Sequence, residues 1–138
     1  MYNELDTLLT DFQDADDYWY DVGCLTAEKI ITMFEQEDWS ELSDNFLTKS
    51  LGWQRKLAYC LGNYSNLKEL KILLILASIE DDELFEVCID SLRSFTSAEN
   101  KQLILENHFI IEKVNEMIPN TGVVSRQIFQ DFLDKLIK

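Results

Sequence analysis

Residues 66–95, NLKELKILLILASIEDDELFEVCIDSLRSF, decide the fold of this chain. Leu67, Leu70 and the run Ile72-Leu73-Leu74-Ile75-Leu76-Ala77 are apolar on nearly all sides of a helix, which predicts the buried centre of a domain. Asn66, with Glu69 three residues on, forms an N-cap with a reciprocal acid. The acidic turn Glu80-Asp81-Asp82-Glu83 supplies the negative charge that a helix N-terminus favours. Leu84, Cys88, Ile89, Leu92 and Phe95 then give the next helix one apolar face.

Upstream, Trp53, Leu57, Ala58, Leu61 and Tyr64 form a stripe that Gly62-Asn63 brings to a stop. Shifted by 31 positions, the segment from Ser50 to Tyr64 falls on Asp81 to Phe95, with Trp53 on Leu84, Ala58 on Ile89, Leu61 on Leu92 and Tyr64 on Phe95. The helix starts at Asn66 and Ser97 are also 31 apart. Alternating helices at this spacing predict stacked antiparallel pairs, a short α-solenoid.

The remainder is helical as well. Leu5, Leu8, Leu9 and Phe12 mark a first amphipathic helix. Thr26 is placed to cap a second carrying Ala27, Ile30, Ile31 and Phe34, and a short third runs from Trp39 to Leu47. A helix opened by Ser97 runs through Leu103, Ile104, Phe109 and Ile110, bends near Asn107-His108 and ends by Pro119. Ile128, Phe129, Phe132, Leu133 and Leu136 form the last, with Lys135 and Lys138 at its C-terminus. The expected fold is all-α: one domain over 1–138 of about seven helices, with acidic N-terminal helices in 1–50, repeat-like pairs in 51–118 and a C-terminal helix in 121–138.

The composition agrees. One domain fits 138 residues, 46% apolar content argues against disorder, and four Gly with one Pro leave little material for the turns of a β-sandwich. Acids outnumber bases 26 to 12, for a net charge of −14, which speaks against binding nucleic acid or an anionic membrane. Residues 1–50 hold 13 acids and only Lys29 and Lys49, a net of −11; the rest nets −3. The field of the molecule therefore arises mainly in its first third. No signal or transit peptide is evident and the longest apolar run is too short to span a bilayer, so a soluble cytoplasmic protein is expected. Cys24, Cys60 and Cys88, odd in number and without a CxxC, fit reduced, core-facing thiols.

Catalytic chemistry finds little footing. His108 has no Cys or Asp at helical metal-pair spacing, and no Gly-rich elbow or oxyanion loop positions a Cys–His pair. The cluster Asp11, Asp14, Asp16, Asp17, Asp21 lacks the Gly and closing Glu of a calcium loop, since Tyr18-Trp19-Tyr20 fill its middle. Glu35/Asp38 and Glu37/Glu41 share helical spacings but have no polar partner for acid–base work. No phosphate-cradling Gly loop is present. No enzyme activity, cofactor, metal or small-molecule substrate is expected.

Acids interleaved with aromatics are more informative. Tyr and Trp give contact area at low entropy cost, and flanking carboxylates steer a basic partner. Tyr18, Trp19 and Tyr20, among Asp14, Asp16, Asp17 and Asp21, either close one end of the core or form an interaction surface with Glu35, Glu37, Asp38, Trp39, Glu41 and Asp44. Trp53, at the start of a repeat helix, marks a second possible contact on the stack.

The segment GWQRKLAYCLGN (52–63) followed by LKELKILLILASIEDDELFEVCIDSLRSF (67–95) resembles the HEAT-like helical immunity proteins of bacterial polymorphic-toxin and contact-dependent growth-inhibition systems. The likeness rests on the Asp-Glu turn before an amphipathic helix and on the aromatic Trp53 opening its partner, over about a third of the chain. It implies a small acidic cytoplasmic protein that binds and occludes one cognate toxin domain, often a nuclease and hence basic. A helical adaptor or secretion chaperone is the alternative, and a nucleic-acid mimic a further one.

Overall fold

A computed structural model describes residues 1–11, 19–63 and 66–137. These are helical, with no strand among them: α1 (Tyr2–Asp11), a π-helical turn (Trp19–Gly23), α2 (Cys24–Thr32), α3 (Gln36–Asn45), a 3-10 turn (Phe46–Thr48), α4 (Leu51–Cys60), α5 (Leu67–Ala77), α6 (Asp82–Leu92), α7 (Ala98–Leu105), α8 (His108–Met117), a second 3-10 turn (Ile118–Asn120) and α9 (Val123–Ile137). Nine α-helices thus stand among the described residues where periodicity predicts about seven. One difference is the helix opened by Ser97, which breaks rather than bends. The side chain of Asn107 donates to the carbonyl of Leu103 at 2.9 Å, so α7 closes and α8 starts afresh.

The caps keep the 31-residue register. Ser50 Oγ accepts from the N–H of Trp53 and Asp81 Oδ1 from that of Leu84; Asn66 Oδ1 accepts from Glu69 and Ser97 Oγ from Asn100. Trp53 and Leu84, Ala58 and Ile89, Leu61 and Leu92 are buried pair by pair, as is Phe95; Tyr64 lies outside the described residues. Helix α4 packs on α2 and more extensively on α6, and α6 in turn on α9. The Ser91 hydroxyl of α6 donates to Ala58 O of α4 at 2.6 Å. At the end of α4, Gly62 adopts φ +106°, where a Cβ would also stand 3.0 Å from Ser91 O. Only glycine fits that stop.

Two expectations are corrected. The centre is α6 rather than α5: α6 touches α4, α5 and α9, and its Leu84, Phe85, Cys88, Ile89 and Leu92 are all essentially inaccessible. On α5, Ile75 is 44% exposed. Thr26 is not a cap either. It lies within α2, its hydroxyl donating to Val22 O, because the π-turn delivers the chain straight into the helix at Cys24.

Candidate functional site: an acidic helix and a tyrosine pair

Helix α3 starts where Asp38 Oδ2 accepts from the N–H of Glu35 at 2.9 Å. The other oxygen of Asp38 accepts from the N–H of Tyr2 at 3.1 Å, which ties α3 to α1. These N–H groups hold the Asp38 carboxyl below the usual aspartate range. Asp38 is therefore a structural tie rather than part of the contact surface expected for it. Trp39 is buried edge-on against Phe34, with ring centroids 5.1 Å apart.

Glu35, Glu37, Glu41 and Asp44 are exposed on α3 and its entry, and they form no ion pair among the described residues. The later acids differ. Arg55 holds Asp81 and Glu83, Arg93 holds Asp90 and Asp131, and Lys113 holds Asp82.

The aromatic triplet divides. Asp14, Asp16, Asp17 and Tyr18 lie outside the described residues. Trp19 is inaccessible to solvent, so it cannot serve as the expected surface anchor. Its indole lies over Gly23, where a Cβ would stand 2.6 Å from the ring atom Cε3. It also lies 5.8 Å from Nζ of Lys56, itself buried and donating to Leu9 O at 2.9 Å. That ammonium meets an end carbonyl of α1, where helix geometry leaves acceptors unfilled and the dipole favours a cation. Trp53 is buried too. Its Nε1 donates to Asp6 at 3.0 Å, beside the Lys49–Asp6 pair at 2.9 Å.

Tyr20 is left outside, 45% exposed, and meets Tyr59 of α4 edge-to-face at 5.1 Å. Partial burial raises the pKa of Tyr59, and the nearby Cys24 thiol, Tyr20 and Asp90 of α6 add to the rise. The residues that sequence reasoning missed here are Tyr59 and Asp90. Tyr59 falls outside the phase of the Trp53, Leu57, Ala58, Leu61 stripe, and that was its only signal.

All three cysteines are free and buried, and burial pushes the thiols of Cys60 and Cys88 well up, away from nucleophilic thiolate character. His108 is exposed at the start of α8. No group of three or more His, Cys, Asp or Glu among the described residues is arranged to hold a metal ion, and no helix among them is long and apolar enough to cross a membrane. Helix α3 can present carboxylates, and the Tyr20–Tyr59 pair two aromatic faces, to cationic groups. No family model, curated protein or solved structure matches the chain.

Proposed function

We propose that this chain is an immunity protein that binds and occludes a basic toxin domain. The observation that carries the reading is the set of exposed carboxylates Glu37, Glu41 and Asp44 on α3, without an ion pair among the described residues, in the third of the chain that nets −11. Carboxylates without an internal partner keep their long-range field, which steers a cationic protein to them. Tyr20 and Tyr59 add aromatic area that Arg and Lys side chains can cover. In this reading α2, α4, α6 and α9 form one face of a short HEAT-like stack, with Tyr20, Tyr59 and Asp90 on it. Inhibition is by steric cover, which asks for no chemistry from the inhibitor.

The test is capture from the native host followed by assay of the captured protein. The expected result is a basic protein whose activity falls to nothing at one equivalent of this chain. An acidic partner overturns the reading. A bound partner that remains fully active overturns it in favour of an adaptor or secretion chaperone.

A further inference from the structure

Helices α3 and α5 do not close on each other. Between them lies a groove of about 480 Å³, with Trp39, Phe46 and Ile72 in its lining. One wall is a continuous stripe of α3 that includes Ser40, Ser43 and Asp44; the other is Lys68, Lys71, Ile72 and Ile75, the i, i+3, i+4, i+7 face of α5. Ser40 and Ser43 are small, so beyond Trp39 this stripe of α3 puts little side-chain volume toward α5.

Two neighbouring lysines form one lip of this groove. Most described cations are engaged: Lys49, Arg55, Arg93, Lys113 and Lys135 in ion pairs, Lys56 on Leu9 O, and Arg126 on Ile118 O and Thr121 O. Lys68 and Lys71 are exposed and form no ion pair among the described residues, and neither does Asp44 on the facing wall. One lip is thus positive and the other negative, with an apolar floor between them. Leu47 and Ile75 on the walls remain 55% and 44% exposed. A small-molecule pocket encloses most of its ligand, and these walls are too open for that.

We propose that this groove docks an amphipathic helix of a partner protein, with an apolar ridge at i, i+3, i+4 and i+7, a carboxylate edge toward Lys68 and Lys71, and a basic edge toward Asp44. The wall from Gln36 to Asp44 is about 12 Å long at 1.5 Å per residue, room for two turns of such a helix. The proposal stands whether or not the partner is a toxin, because it rests on the groove and, of the outer acids of α3, uses Asp44 alone.

The probe is a displayed library of stapled helical peptides with a fixed Leu/Ile ridge and both edges randomised among Glu, Lys and Gln, selected on the full chain. Enriched peptides should carry Glu on one edge and Lys on the other, and should shift amide signals of α3 and α5. Lys68→Glu with Lys71→Glu should weaken them about tenfold, as expected for two exposed pairs turned repulsive. Reselection on that variant should put Lys on both edges. Ile75→Asp, at an exposed position, should abolish binding at unchanged Tm. Enrichment without edge preference overturns the proposal, as does binding unaffected by Ile75→Asp. Shifts of the same amides by dodecanoate but by no peptide would assign the groove to a small amphiphile and overturn it too.

Discussion

Gly23 is the position at which one methyl group tests how the site is held. A Cβ there would stand 2.6 Å from the Trp19 ring, so Gly23→Ala must move the indole or the π-turn. Overpacking of this kind costs about 1–3 kcal/mol, measurable by urea unfolding, and it should also disturb Tyr20 on the next residue. Tyr59→Ala removes a partly buried ring and its edge-to-face contact with Tyr20. It should lower Tm modestly and, in a partner complex, raise the dissociation rate. Glu69 gives a pH signature. Its side chain is fully buried, Oε2 accepts from the N–H of Gly62 at 2.5 Å, and burial raises its pKa against the opposing pull of the Gly62 and Asn66 N–H groups. A raised acid pKa contributes stability that is full below the ordinary glutamate range and is lost as pH rises through the folded-state value. Asp38, Asp81 and Asp131 are depressed, so their contribution is full above the ordinary aspartate range and is lost as pH falls through their folded values. Stability followed by thermal melts should therefore rise on mild acidification from neutrality and then fall. Glu69→Gln should remove the rise and leave the fall.

Among the elements, α4 and α6 are joined at their starts. Arg55 of α4 reaches Asp81 through Nε at 3.3 Å and Nη2 at 2.9 Å, while the same carboxylate caps α6. Asp81→Ala removes both and should cost about 1–3 kcal/mol in unfolding free energy. Asp82→Ala, whose carboxylate is 79% exposed in its pair with Lys113, should stay within about 0.5 kcal/mol of the parent. A double-mutant cycle with Arg55→Ala would isolate the shared part. The elements also mark how far sequence alone reaches. The caps Asn66 and Ser97 and the 31-residue register are legible because capping is decided within three residues of the helix start. The centrality of α6 is not, since the denser apolar run of α5 also lines a groove. Trp19 among carboxylates looks exposed in one dimension; in the fold it joins the buried core, with Lys56, 37 positions away, among its neighbours. Tyr20 and Tyr59 meet across 39 positions, and no local pattern announces that.

At the scale of the whole molecule, some carboxylates hold helices together: Asp81 binds Arg55, Asp131 binds Arg93 and Asp82 binds Lys113. Glu37, Glu41 and Asp44 of α3 are exposed and form no ion pair among the described residues. The central claim is that this outward charge recruits a basic partner, and charge of that kind acts on the rate of encounter more than on the lifetime of the complex. The most direct test is the association rate with the captured partner as salt rises from about 0.05 M to about 0.5 M, over which screening shortens from roughly 14 Å to roughly 4 Å. The parent chain should associate near ~10⁸–10⁹ M⁻¹s⁻¹ at low salt and fall steeply toward ~10⁵–10⁶, while Glu37→Lys with Glu41→Lys should start slow and respond little, with dissociation nearly the same in both. An association rate independent of salt, or a charge-reversed chain that associates as fast as the parent, would contradict the account.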